Sequence, residues 1–292
     1  MDARAWLGLE ATHNPMRWVL PVTPGISTPG PFLFGGCALC ASIAALEASS
    51  GRPVVWATAQ YLSYATPPSV MDVDVTLAAV GRSITQGRVV GHVGDTEILT
   101  VNAALGHRDL DIDDTWVERP DVPGPDDCSV RLPRVPDVPS IQDRIDTRLA
   151  DARGWDEVDG HPNSSGRSAL WARMPDLLEL SSAAALAILG DYVPFGIGQA
   201  LGRIGGGNSL DNTLRVYRLV PTEWVLLDIR IHAVANGFGH GVVHLWAEDG
   251  ALLATASQST IVRMMPPELL AAMRERAAGI VEAAGTDGAD RT

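Results

Sequence analysis

Three cysteines in 292 residues are too few for a disulfide framework. Basic residues are scarce beside acidic ones, 22 against 35, and the formal charge of -13 argues against nucleic acid or an anionic membrane surface as partner. Such a chain can still hold a phosphate-bearing small molecule on a local basic rim. No run reaches about 18 uninterrupted apolar residues, so no membrane span is expected. The opening residues, MDARAWLGLEATHN, have neither a basic nor an apolar targeting region, so no secretory signal is expected. G-x-S-x-G, H-E-x-x-H and P-loop patterns are missing. With 46% hydrophobic and 20% charged residues, the composition is that of a globular protein, expected to be cytoplasmic, reduced, and without metal or cofactor. The length allows one large or two medium domains.

What is present begins with FGGCALCASI at 34–43, a C-x-x-C pair behind two glycines. A redox or metal dithiol needs a thioredoxin-like βαβ context or a second Cys/His pair, and the sequence supplies neither. The helical pattern of 35–50 is followed by strand-like material from Val54 to Leu105. A charged, proline-rich stretch, 117–140, reads as a linker. Beyond it come a helix-like stretch at 181–204, strands up to Met264, and a tail, PPELLAAMRERAAGIVEAA, with the pattern of an amphipathic helix.

The parts before and after the linker, 1–116 and 141–292, share one order, a helix and then antiparallel strands. Residues 66–80 lie over 219–234 with Pro68 on Pro221, and 93–105 lie over 247–259 with Asp95 on Asp249. This overlay puts Ala104 opposite Gln258 and indicates duplication of one α+β unit. In 225–233 the odd positions are apolar and the even ones, Asp228, Arg230 and His232, polar, as in a half-buried strand whose polar face meets solvent. In 252–262 Leu252, Ala254, Ala256 and Gln258 share a face, and a buried Gln258 needs partners, because an unpaired amide costs about 1–3 kcal/mol.

Two long helices, each wrapped by a curved antiparallel sheet, constitute an α+β double hot dog. From about Pro29 to Arg263 the chain resembles the type II acyl-CoA thioesterases. The resemblance rests on FGG opening a helix, YLSYATP, LGDYVPFGIGQAL, SLDNTLRVYRLVPTEWVLLDIRIHAVANGFGHG and DGALLATASQSTIVR, in that order. It implies hydrolysis of fatty acyl-CoA to free acid and CoA, by a water that an Asp, a Thr or Ser, and a Gln hold. Carried over, these are Asp191, Ser209 and Gln258, with serine standing where the family more often has threonine. It also implies a homo-oligomer, since hot-dog sheets pair edge to edge or back to back, and one active centre per chain, because Ala104 replaces the glutamine in the first copy.

A thioester carbonyl is electrophilic enough for a positioned water, given a base, groups that fix the water, and donors for the developing oxyanion. Asp191 is the base or orienter, and Ser209 and Gln258 can each donate and accept. The oxyanion donors are expected among backbone N–H groups at the N-terminus of the first helix, Gly35, Gly36 and Cys37. Each assignment has a plainer rival. Asp191 could cap the half-helix DYVPFGIGQAL, Ser209 could be a loop hydroxyl, and Gln258 a core amide. Surface arginines such as Arg82, Arg88 or Arg263 are candidates for the CoA phosphates. His232, His240 and His244 share parity and could meet as metal ligands, but a solvated or inter-subunit surface accounts for them better. A hydratase of the same fold would want a histidine near a helix start, and 35–50 and 185–200 hold none. A degenerate acyl-binding or assembly protein would have the three polar side chains apart, and a catalyst would have them within hydrogen-bonding reach. A thiol at a helix N-terminus can have a lowered pKa, so Cys37 is expected to alkylate readily.

Overall fold

The computed structural model describes residues 1–132, 138–177 and 182–266, and positions 268 and 271. The tail helix expected from 266 onward lies almost wholly outside the described residues. The first half contains α1 (Ala3–Leu7), β1 (Glu10–Ala11), β2 (Arg17–Val22), α2 (Gly35–Ser50), β3 (Val54–Tyr61), β4 (Ser69–Val80), β5 (Ile84–Val93) and β6 (Thr96–Gly106). The second contains β7 (Ser129–Val130), β8 (Asp146–Asp151), β9 (Arg167–Arg173), α3 (Ala183–Leu189), α4 (Val193–Leu201), β10 (Gly205–Ser209), β11 (Asp211–Val216), β12 (Val225–Ala235), β13 (Phe238–Ala247) and β14 (Leu252–Met264).

All strands join one sheet in the order β1-β2-β4-β5-β6-β3-β11-β14-β13-β12-β9-β8-β7, with β10 also paired to β14. The order of β2 to β3 mirrors that of β11 to β9. The halves meet at the antiparallel pair β3–β11, where Thr58 faces Thr213 and their hydroxyls are 2.6 Å apart. α2 packs on β3 to β6 of the first half and α4 on β9, β12, β13 and β14 of the second, so this is the double hot dog. α2 has 11 of its 16 residues buried and hence apolar or small residues on every side, the reverse of a surface helix.

The registers refine the duplication. Val75↔Val89 in the first half matches Ile229↔Val243 in the second, an offset of 154 residues. Thr58↔Asn102 matches Thr213↔Ser257, an offset of 155. The β13–β14 hairpin is one residue longer, as Gly91↔Leu99 and Leu245↔Ala254 show. The counterpart of Gln258 is therefore the buried Ala103, which faces Gly87 as Gln258 faces Gly241, and not Ala104.

The polar face of β12 departs from expectation. Asp228 is 2% exposed, paired with Arg230 at 2.6 Å and 3.7 Å from His244 Nδ1. Here a second apolar cluster, Trp171, Trp224, Leu226 and Trp246, covers the outer side of the sheet, with Val117, Val122 and Cys128 packed on it. Trp171 Nε1 donates to Pro123 O at 2.8 Å. Residues 117–128 of the proline-rich stretch are thus a strap across the sheet as well as a connection. Proline suits it, because its backbone has no N–H to satisfy against an apolar face. His232 and His240 do lie exposed, edge to face at 5.2 Å.

Candidate active site

The helix expected over 181–204 is broken in two at Gly190, Asp191 and Tyr192. Continuing α3 would drive the ring of Pro194 against the carbonyl of Gly190, so the chain turns and restarts with proline in the first turn of α4. Gly190 sits where a Cβ would come within 2.7 Å of the Ala256 Cβ, so the break is pressed against β14. Residues 183–201 have the length and hydropathy of a membrane span, yet 72% of that stretch is buried within the protein. It is the core helix pair of the second unit.

The break turns Asp191 away from α4, whose N-cap is Tyr192 without a side-chain bond. The capping rival therefore fails for that helix, and the carboxylate reaches a different one. Asp191 Oδ2 accepts from the Gly36 N–H at 2.7 Å, in the first turn of α2. Its other oxygen, Oδ1, accepts from Gln258 Nε2. Gln258 Nε2 also reaches Ser209 Oγ at 3.1 Å, while Gln258 Oε1 accepts from the Val193 N–H at 3.1 Å. Asp191, Ser209 and Gln258 are thus brought into one connected group.

The direction of each bond follows from the ends of the chain. The N–H groups of Gly36 and Val193 can only donate, so the Gln258 oxygen must face Val193 and its nitrogen must face Asp191 and Ser209. Both amide hydrogens are then committed, one to Asp191 and one to Ser209. Gln258, with no exposed surface, bonds both of the other two side chains. Ser209, accepting from Gln258, keeps its own O–H free to donate, and Asp191 keeps lone pairs free to accept.

Burial pushes the Asp191 carboxyl up to about 6, against the lowering influence of the bonds from Gln258 and Gly36. The dipole at the α2 N-terminus favours the ionised form in the same way. The expected oxyanion donors fare unequally. Gly36 N–H is taken by Asp191, and Cys37 N–H lies 3.0 Å from Phe34 O, so neither is free as expected. Gly35 N–H has no acceptor among the described residues. A Cβ on Gly35 would lie 2.9 Å from Asp191 Oδ2 and 3.0 Å from Tyr61 Cζ, so this glycine makes room for those two side chains. At Gly36 a Cβ would meet the Ile188 Cα at 2.8 Å and Ala187 O at 2.9 Å, where α2 crosses α3.

The Cys37 thiol is fully buried, and its pKa is raised well above the ordinary value by burial, then by Cys40 and Asp191. The expectation of ready alkylation is wrong, since burial outweighs the helix terminus. Among the arginines, Arg82 and Arg88 lie exposed in the first half, and Arg263 bonds Asn208 Oδ1 at 2.6 Å, next to Ser209. Sequence reasoning missed Tyr61, whose hydroxyl donates to Gly35 O at 2.9 Å, and Val193, whose N–H anchors Gln258. The Y-V-P following Asp191 was the available sign of a helix start there.

Residues 118–262 match the family model described as acyl-CoA thioesterase C-terminal domain. A protein from Novosphingobium aromaticivorans designated a thioesterase is 34% identical, with 87% of this chain and 97% of that one covered at a TM-score of 0.77. The chain belongs to the type II acyl-CoA thioesterase family. A hot-dog protein of Alicyclobacillus acidocaldarius has the same fold at 20% identity, with 91% and 98% covered and a TM-score of 0.78. So does the acyl-CoA thioesterase II TesB2 of Mycobacterium marinum, at 20% identity, 91% and 100% covered, and a TM-score of 0.69. No curated protein matches the chain. The family model begins at the strap, which accords with the strap packing on the second half of the sheet.

Proposed function

We propose that this type II thioesterase family member hydrolyses acyl-CoA thioesters to free acid and CoA by direct attack of water. The observation that carries the reading is the directed chain Val193 N–H, Gln258, Asp191, Gly36 N–H, with Ser209 hung from the same amide. It leaves one acceptor and one donor facing the same place. A water there donates one hydrogen to Asp191 and accepts the Ser209 O–H, keeping a second lone pair for the carbonyl carbon. With its pKa at about 6, Asp191 is mostly ionised at neutral pH and close enough to it to be an effective base.

As the water oxygen bonds to the carbonyl carbon, its proton passes to Asp191 and the carbonyl oxygen takes the negative charge. Gly35 N–H, at the positive end of α2, is the donor free to meet that charge. Collapse of the tetrahedral species breaks the C–S bond, and the leaving sulfur takes a proton from Asp191, which restores the carboxylate. Gln258 touches none of the reacting atoms and acts as a positioning residue. Because the three side chains are within hydrogen-bonding reach, catalysis is favoured over a degenerate binding protein.

The test is thiol release from a panel of acyl-CoAs by wild type and Asp191→Asn. Removing the base is expected to lower turnover about 10²–10⁴-fold. Ordinary turnover by the variant would refute the mechanism.

A further inference from the structure

Beside the break between α3 and α4 lies a cavity of about 160 Å³, lined by Arg131, Leu132, Gln142, Asp143, Ile145, Thr147 and Tyr192. Tyr192, which lines it, follows Asp191 directly in the chain, so the cavity borders the same break that carries the proposed base. Its lining is more polar than apolar, whereas a pocket for a hydrocarbon chain is largely apolar.

Arg131 is its distinctive member. The chain has no lysine, so its side-chain cations other than histidine are guanidinium groups. Arg153 pairs with Asp159 and donates to the carbonyls of His161 and Gln199, and Arg144 donates to Trp6 O. Arg131 lies over the Phe195 ring at 4.8 Å, and no carboxylate pairs with it among the described residues. Asp143, the carboxylate of the cavity, is taken up as a helix cap, accepting from Ser140 N–H at 2.8 Å. Burial pulls the Arg131 guanidinium below its usual pKa, which is the cost of removing a cation from water without a counter-ion. In a protein of net charge -13, a cation left unpaired against a cavity is best satisfied by an anion that arrives there.

We propose that this cavity receives the far end of the acyl group and that Arg131 pairs with a carboxylate on it, so the preferred substrates are short carboxyacyl thioesters. The proposal rests on the thioesterase reading and narrows the fatty acyl substrates that the family resemblance implies. The volume sets the length, because a cavity near 150 Å³ takes a benzene-sized guest, about six non-hydrogen atoms. An anion could also come from the CoA phosphates. The whole pantetheine arm separates those from the sulfur, while the cavity opens beside the residue next to the catalytic carboxylate.

The experiment compares kcat/KM for succinyl and glutaryl thioesters with butyryl and valeryl thioesters of equal length. Each acyl group is presented on CoA and on N-acetylcysteamine, which lacks phosphate. Wild type is expected to prefer the carboxyacyl member about 10²-fold or more on both thiols. Arg131→Met should erase most of that preference, and Arg131→Lys should restore part of it. The preference is a ratio within one preparation, so a loss of folded protein cancels. Equal loss on charged and neutral acyl groups, a wild-type preference for neutral chains, or an Arg131 effect confined to CoA esters would each overturn the proposal. Turnover of neutral thioesters alone overturns only the proposal, whereas no turnover of any thioester overturns the thioesterase reading with it.

Discussion

Replacing Gln258 by alanine tests the directed hydrogen-bond chain at its middle link. The side chain has no exposed surface and makes three bonds, to Asp191, Ser209 and the Val193 N–H. Alanine leaves that N–H buried and unpaired, a cost of about 1–3 kcal/mol, with a further cost on the order of 1 kcal/mol for the space vacated. The effect on chemistry is separable. The Gln258 bond is the foremost influence holding the Asp191 carboxyl down against burial. A hydrogen bond to a charged group is worth about 1.5–3 kcal/mol and a pKa unit about 1.4, so losing it should raise the carboxyl from about 6 by about 1 unit or more. The assay is kcat/KM for thiol release across pH. In wild type the rate should fall below a midpoint near 6, where Asp191 takes up a proton. In Gln258→Ala the midpoint should move to higher pH, in addition to any loss at the plateau. A midpoint unchanged between the two proteins would refute the argument that Gln258 works through Asp191.

Three further outcomes follow from the same contacts. The folded pKa of Asp191, about 6, exceeds its ordinary value of 3.8, so its contribution to stability is fully present below the lower value and is lost as pH rises through the upper one. Between about pH 4 and about pH 8 that loss is roughly 2 kcal/mol, and urea unfolding should show it in wild type and not in Asp191→Asn. Gly36→Ala places a methyl group within 2.9 Å of the α3 backbone, so the helices must part and loosen the bond to Asp191. The expected cost is about 1–3 kcal/mol by denaturation, with the acid limb of the pH profile moved upward. Trp171→Ala removes a fully buried ring and its bond to Pro123, at about 3–5 kcal/mol, and limited proteolysis should then cut within the 117–128 strap.

The duplicated architecture was legible because alternation and spacing survive where identity does not. Odd apolar positions from Val225 to Ala233 could belong only to a strand with one face in the core, and corresponding hairpins recur about 154 residues apart. The error of one residue at Ala103 arose because a hairpin can gain a residue at its tip without disturbing the strands. The outer side of β12 was misread for a related reason. Alternation shows which residues share a face but not what covers that face, and a stretch whose Glu118 lies 112 residues before Arg230 carries no periodicity to announce that it does.

The site was legible as a set of residue types and not as a geometry. Asp191 and Gln258 are 67 residues apart and Asp191 and Gly36 are 155 apart, so no spacing in the chain encodes their contact. What joins them is close packing of α2 against α3, for which the glycines at 35 and 36 are the local condition. The same packing decides the fate of the two acidic groups at the α2 N-terminus. Asp191 reaches a backbone N–H and an amide, and those bonds oppose the cost of burying its charge. Cys37 sits within the helix and has no such donors, so burial and the neighbouring Asp191 both disfavour its thiolate. One helix terminus can stabilise one buried anion, and the carboxylate already occupies it. The dipole that seemed to promise a reactive cysteine therefore serves Asp191, and the glycines matter because they let it approach.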